Sequence, residues 1–451
     1  MSSTAFELVV RRGRVFTPNG LIDADIGVRN GKIAAIADLP AGSGGQELDA
    51  PGLVVLPGVI DTQVHFREPG LTHKEDLESG SRAAALGGVT AVFEMPNTNP
   101  GTTSAEAIAD KLARAKGRIH VDHAFYLGAT VENAHALGEL ERLPGCCGVK
   151  TFMGSSTGSL LVGDDEGLEQ VLRSINRRGA FHAEDEARLK ARAALARAGD
   201  ASSHPEVRDD EAALLAVQRL VAMARRLGKR VHVLHVSSAR EMAFLAGAKD
   251  VATVETLPQF LTFKAPEIYA RLGTRAQMNP PIRYDGDQDA LWSLGIAQGV
   301  VDVLGTDHAP HTLEEKAKPY PLSPSGMPGV QTLVPVMLTH VVEGRLSLER
   351  FVDLTSAGPA RVFGIQGKGR IALGYDADFT VVDLQRGRTI RDEDQASKAG
   401  WTPFDGWQAK AWPKATVVRG HVVMREGELL TPAIGEPLRF LETLQSSGSS
   451  Q

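Results

Sequence analysis

Two hydrophobic textures alternate along the 451 residues of this chain. Residues 6–57 carry short strand-like stretches such as Phe6-Glu-Leu-Val-Val-Arg11, Arg14-Val-Phe16, Ala24-Asp-Ile-Gly-Val28 and Lys32-Ile-Ala-Ala-Ile36. Asn19-Gly20 and Asn30-Gly31 punctuate them, and such pairs favour tight hairpin turns. The same texture returns at 378–383 and 416–424. Between these flanks lie eight short runs that are apolar nearly throughout, at 53–60, 89–95, 121–126, 148–152, 179–182, 230–235, 251–255 and 300–305. Strands buried on both faces have this composition. Helical stretches separate them. The clearest, 209–227, opens on Asp209, Asp210 and Glu211, closes on Arg225 and Arg226, and is stopped by Gly228.

Alternating strands and helices give parallel strands, and eight of them predict a closed barrel. The expected fold class is α/β, a TIM-like (β/α)8 barrel over 58–364. A small β-sandwich domain is expected from both chain ends, 1–57 and 365–430, followed by a C-terminal tail over 431–451. The polar stretch Ser446-Ser-Gly-Ser-Ser-Gln451 is expected to be disordered. An open doubly wound sheet would place a Gly-rich phosphate loop after its first strand, and none stands in that context.

Composition narrows the functional classes. Apolar residues make up 42% and charged residues 23%, as in ordinary globular proteins. A net charge of −6 offers no attraction to nucleic acid or an anionic membrane. The first residues carry no basic segment followed by a long apolar run, so no signal peptide is expected, and no stretch is apolar enough to span a bilayer. Cys146 and Cys147 are adjacent and would point to opposite faces of a strand, a poor geometry for a disulfide. A reducing cytoplasm is the simplest compartment.

Five residues carry the candidate chemistry. His65 follows the first run, Lys150 lies in the fourth, His182 ends the fifth, His235 ends the sixth and Asp307 follows the eighth. Barrels of this kind place their active sites at the C-terminal strand ends, and imidazole and carboxylate are ordinary zinc ligands. Any one of these residues alone is more often structural, a satisfied histidine or a helix cap. The ordered set points to a metal-dependent hydrolase. Lys150 is the odd member, because an ammonium cannot bind a cation. Either it snorkels or pairs with an acid, or its amine is carboxylated to a carbamate, an anionic oxygen donor that no sequence displays.

The motifs around these residues are Asp61-Thr-Gln-Val-His-Phe-Arg-Glu-Pro-Gly70, Glu94-Met-Pro-Asn-Thr98, Gly148-Val-Lys-Thr-Phe-Met153, His232-Val-Leu-His-Val-Ser237, Asn279-Pro-Pro-Ile-Arg283, Gly305-Thr-Asp-His-Ala-Pro-His311 and Gly369-Arg-Ile-Ala-Leu-Gly-Tyr-Asp-Ala-Asp-Phe379. Over residues 5–430 the chain resembles the dihydroorotases of the amidohydrolase superfamily, within the cyclic-amidase group that also holds hydantoinases and allantoinases. The resemblance implies that His182 and His235 hold one zinc ion, that N-carboxylated Lys150 bridges, and that His65 and Asp307 serve a second. It makes Asp307 the general base and acid for a metal-activated water that opens the ring amide. Dihydroorotate and N-carbamoyl-aspartate would thus interconvert in pyrimidine biosynthesis. Arg67, Asn97 and His311 would grip the substrate carboxylate, and Asn279 with Ser325-Gly326 would contact the ring. A forked Arg67–carboxylate pair favours dihydroorotate over a neutral hydantoin. A homo-oligomer is implied by the resemblance alone.

Two positions depart from the pattern. Gln63 stands where a His-x-His pair would place its first imidazole, and an amide oxygen is a far weaker zinc ligand. Pro258-Gln259-Phe260-Leu261 stands where Pro-His-His-Leu is common. Two readings therefore stay open. One is a working hydrolase with one tightly held zinc and a weaker second site, acting on dihydroorotate or on a hydantoin or allantoin. The other is a non-catalytic scaffold for a partner such as aspartate carbamoyltransferase. Residues 314–327, rich in Lys, Pro and Ser, are either a mobile lid or an ordinary long connection.

Overall fold

The computed structural model describes residues 5–156 and 160–443, and Ser446–Gln451 lies outside them. Eight parallel strands form the barrel: β1 (Val59–Val64), β2 (Val89–Glu94), β3 (Asp122–Gly128), β4 (Cys146–Phe152), β5 (Gly179–His182), β6 (Val231–Val233), β7 (Ala252–Thr256) and β8 (Val303–Leu304). They pair in sequence order. The seam between β8 and β1 is closed largely by residues 306–308, just beyond β8. The His65 amide donates to His308 O at 2.7 Å. Thr306 gives its amide to Asp61 Oδ1 at 3.0 Å and its hydroxyl to Oδ2 at 2.5 Å. Asp61 is thus a buried clasp between the first strand and the residue before Asp307.

The run 53–60, expected as one strand, is two. Val54–Pro57 belongs to a nine-stranded outer sheet, parallel to Phe6–Thr17 at Arg14 and Val15 and antiparallel to Phe379–Asp383. Here the two chain ends meet. The barrel begins only at Val59. Gly58 makes the transfer: its amide donates to Asp378 O at 2.9 Å, and a Cβ there would stand 2.3 Å from Thr90 Oγ1. A larger residue would force the Thr90 or Asp378 side chain to shift. The outer sheet has its own core, with Leu8, Val10, Ile26, Val28, Val55, Phe379 and Val417 buried together.

The helix expected at 209–227 is Asp210–Leu227. Asp209 caps it by accepting from Ala212 N at 3.0 Å, and Gly228 ends it at φ 66°. Residues 434–440 run across the base of the barrel: Gly435 N meets Ile119 O and Leu438 N meets His123 O, both at 2.8 Å. There Phe363 and Phe440 pack edge-on against Phe93, with centroids 5.0 and 5.8 Å away. The barrel is therefore filled from below and opens above. The connection 314–327 is tied down. Buried Lys316 donates to Gln277 O and Pro324 O, and Ala309 N donates to Met327 O. No helix among the described residues is long and apolar enough to cross a membrane.

Candidate active site

One cavity at the C-terminal strand ends is lined by Gln63, His65, Arg67, Asn97, Lys150, His182, His235, Asn279, Asp307, Ser325 and Gly326, together with Phe152, Ser156 and Ala309. Its empty volume is about 350 Å³, at the small end for ligand pockets. Every sequence-derived candidate is thus in one place except His311, which sits fully buried behind Arg67. Among the cavity residues Arg67, His235 and Asp307 adopt φ of 63°, 39° and 48°. Non-glycine residues pay conformational strain there, and such strain collects at functional sites.

The histidine pair comes first. His182 Nε2 lies 2.8 Å from Glu184 Oε2. Glu184 is 1% exposed and also receives Arg208, whose Nε is 3.1 Å from Oε1. Burial alone would raise the Glu184 carboxyl, but the Arg208 charge and the His182 bond hold it well below the usual carboxylate range. An ionised carboxylate only accepts, so Nε2 of His182 carries the proton and Nδ1 is bare. That bare Nδ1 faces His235 Nε2 at 3.0 Å. Burial lowers the pKa of both rings, so both are neutral near pH 7. Tetrahedral zinc with bonds of about 2.0–2.1 Å sets two nitrogen ligands roughly 3.3 Å apart, so this pair is spaced to hold one cation.

Lys150 is 1% exposed, and its Nζ lies 4.6 Å from the centre of the Phe152 ring. Burial pushes its pKa down to about 7, against the charges of Asp307 and Glu255. A substantial share of the amine is then neutral, the form that can be carboxylated. Among the described residues no three His, Cys, Asp or Glu side chains converge to hold a metal by themselves. Lys150 lines the same cavity as His182 and His235, and a carbamate on its amine would add an oxygen donor beside that pair.

The other half of the site is one donor short. Gln63 Nε2 donates to Asp307 Oδ1 at 3.0 Å, and His65 Nε2 lies 3.0 Å from the same oxygen. Gln63 Oε1 is buried and meets no donor. Burial favours the neutral acid at Asp307, but the hydrogen bond from His65 holds its pKa below the usual range. The amide at position 63 therefore acts as a partner for Asp307.

Arg67 is 1% exposed. Its Nε donates to Pro310 O at 3.2 Å, while Nη2 lies 3.3 Å from His311 Nε2. His311 cannot serve as that acceptor. Lys74 Nζ donates to its Nδ1 at 3.1 Å, and burial with the charges of Arg67 and Lys74 keeps the ring neutral. Its Nε2 therefore bears the proton and donates to Ser325 O at 3.0 Å. Arg67 Nη1 has no partner among the described residues. A buried guanidinium fork thus opens into the cavity without an acceptor, an arrangement suited to a carboxylate. Asn279 Oδ1 is held by His204 Nε2 at 3.0 Å.

Sequence reasoning missed Glu184, Phe152 and Ser156. A period-two signal marked Phe152, which lies two residues beyond Lys150 in the same strand, whereas Glu184 lies past the end of its strand. Gln259 is buried, and its Nε2 donates to Thr306 O at 2.8 Å, beside Asp307. It braces the loop that carries the carboxylate.

A (β/α)8 barrel with two facing imidazoles, a buried lysine and a strand-end aspartate defines a hydrolase-type centre. The amidohydrolase family model matches residues 54–423, and the chain belongs to that family. It is 38% identical to a dihydroorotase from Methanosarcina mazei over 97% of this chain and 98% of that protein. It is 36% identical to an allantoinase from Rubrobacter xylanophilus, over 99% of each. Among solved structures, the L-hydantoinase (dihydropyrimidinase) of Arthrobacter aurescens superposes with a TM-score of 0.91 at 31% identity, covering 96% of this chain and 99% of that one.

Proposed function

We propose that this chain is a dihydroorotase, a zinc-dependent cyclic-amide hydrolase that interconverts dihydroorotate and N-carbamoyl-aspartate. The observation that carries the choice of substrate is the acceptor-less fork of Arg67, facing the same cavity as Asp307 and the imidazole pair. Dihydroorotate brings a carboxylate to that fork, whereas hydantoin and allantoin bring none.

His182, His235 and Lys150 as its carbamate would hold one zinc ion. The ion supplies Lewis acidity and a water of lowered pKa. Arg67 orients the ring through its carboxylate. Gln63 and His65 both hold Asp307 Oδ1, which leaves Oδ2 to take a proton from the attacking water. The water oxygen bonds to the ring carbonyl carbon, the C–N bond breaks, and Asp307 returns the proton to the departing nitrogen.

Gln63 favours a second reading, in which the chain turns nothing over and supports a partner such as aspartate carbamoyltransferase. Loss of dihydroorotate ring absorbance, measured with zinc and bicarbonate supplied, separates the two. Turnover that Asp307→Ala abolishes supports the enzyme. We expect kcat/KM for dihydroorotate to exceed that for hydantoin or allantoin by roughly tenfold or more, the worth of a charged hydrogen bond. No turnover of any of the three supports the scaffold, and preference for a neutral ring overturns the role of Arg67.

A further inference from the structure

We propose that the base of the barrel, opposite the catalytic cavity, carries a second ligand site that takes the phosphate group of a small phosphate ester. Arg177, Arg178, Arg230 and Arg361 line one cleft there, against a single acid among the described lining residues, Glu442. Arg177 and Arg178 immediately precede β5, and Arg230 immediately precedes β6. They therefore stand at the strand ends away from His182 and His235.

The charges of this cleft are poorly compensated. Arg178 Nη1 spends its hydrogen bonds on two backbone carbonyls, Val231 O at 3.1 Å and Val251 O at 3.3 Å. Arg177 Nη1 likewise meets Glu141 O at 2.8 Å and Cys146 O at 3.0 Å. Among the described residues neither Arg178 nor Arg230 has a carboxylate in an ion pair. Arg361 is the exception, paired with Asp353 at 3.1 Å. Burial, and then the like charge of Arg230, push the Arg178 pKa down to about 10. Guanidinium groups crowded in this way are relieved by an anion, and phosphate oxygens match their forks.

The cleft also has an apolar floor. Phe363 and Phe440 line it, and the Arg177 guanidinium lies 5.5 Å from the centre of the Phe440 ring. Its empty volume is about 700 Å³, twice that of the catalytic cavity. A bare inorganic anion would leave both floor and volume unused. A phosphate ester uses the arginines for its charge and the rest of the cleft, beside Val362 and the 72% exposed Leu441, for its organic body.

Calorimetric titration of the full-length protein tests this, with adenosine monophosphate, inorganic phosphate and adenosine as probes. We expect saturable binding of the monophosphate, roughly tenfold tighter than either other probe. Arg230→Ala changes an exposed side chain and should weaken binding by about tenfold, while Arg67→Gln should leave it unchanged. Absence of saturable monophosphate binding overturns the site. Binding lost in Arg67→Gln but kept in Arg230→Ala assigns the anion to the catalytic cavity and also overturns it. Inorganic phosphate bound as tightly as the ester overturns the claim that the cleft takes an ester rather than the bare anion.

Discussion

Glu184→Gln probes the site behind its metal-facing atoms. The native carboxylate receives His182 Nε2 and Arg208 on Oε2, and Arg208 Nε on Oε1. Glutamine has nearly the same shape but one accepting oxygen. Its amide must face either His182 Nε2–H or Arg208 with donor against donor. Losing one hydrogen bond to a charged group costs about 1.5–3 kcal/mol. Partners of this kind, which orient a ligating histidine, are worth about 10–100-fold in metal affinity, or roughly 1.4–2.7 kcal/mol at 1.36 kcal/mol per decade. The two figures agree, so we expect zinc to bind Glu184→Gln about 10–100-fold more weakly. Competition against a chromogenic chelator measures it. Affinity within about threefold of wild type, in a variant that still melts cooperatively, would refute the claim that Glu184 fixes the His182 tautomer. The pH dependence has a definite sign. The folded carboxyl has a depressed pKa, so its contribution to stability is present above the unfolded value of about 4.3 and fades as pH falls toward the folded value. The stability gap between wild type and variant should therefore be full at neutral pH and shrink in acid.

Gln63→His restores an imidazole beside His65 and Asp307. Metal content after dialysis against a mild chelator should rise from about one to about two ions per chain; unchanged stoichiometry would show that Asp307 stays committed to its hydrogen bonds. Arg67→Gln removes the charged fork, and kcat/KM for dihydroorotate should fall about 10–100-fold while hydantoin turnover holds within about threefold. Equal losses on both rings would place Arg67 in the scaffold of the site. Gly58→Ala forces a Cβ to within 2.3 Å of Thr90 Oγ1. Overpacking of this kind costs about 1–3 kcal/mol, read as a lower denaturant midpoint, and an unshifted midpoint would mean that the crossing yields.

The barrel was legible because both-face burial leaves a simple mark. Gly179–His182 forms the strand its apolar run predicts, and Asp209 and Gly228 bracket their helix as capping rules require. Where reading failed, a run crossed two environments. Residues 53–60 are uniformly apolar because both the outer sheet and the barrel bury them, so hydropathy could not reveal the break at Gly58. Residues 434–440, inside the segment expected as a tail, pack at the base of the barrel. Leu438 and Phe440 alternate around Arg439 over too few residues to stand out in the sequence, and the base of the barrel gives them a place to pack.

The candidate site divides along the same line. Strand ends are marked by chain rhythm, so the identities of His65, Lys150, His182, His235 and Asp307 could be read. The direction in which each side chain points could not. Arg67, His235 and Asp307 all turn into the cavity through left-handed backbone, each against a cost of about 1–3 kcal/mol. Long-range bonds offset that cost, such as Arg67 Nε to Pro310 O and His65 Nε2 to Asp307 Oδ1. Gln63 changes meaning by the same route. On the chain it is a ligand lost. In space its amide reaches 244 positions away to share Asp307 Oδ1 with His65. An imidazole committed to a metal at position 63 could not make that bond. With Gln63 in place, Asp307 is anchored by two side-chain hydrogen bonds to one oxygen, and on the reading proposed here that anchor would hold the carboxylate beside a single cation.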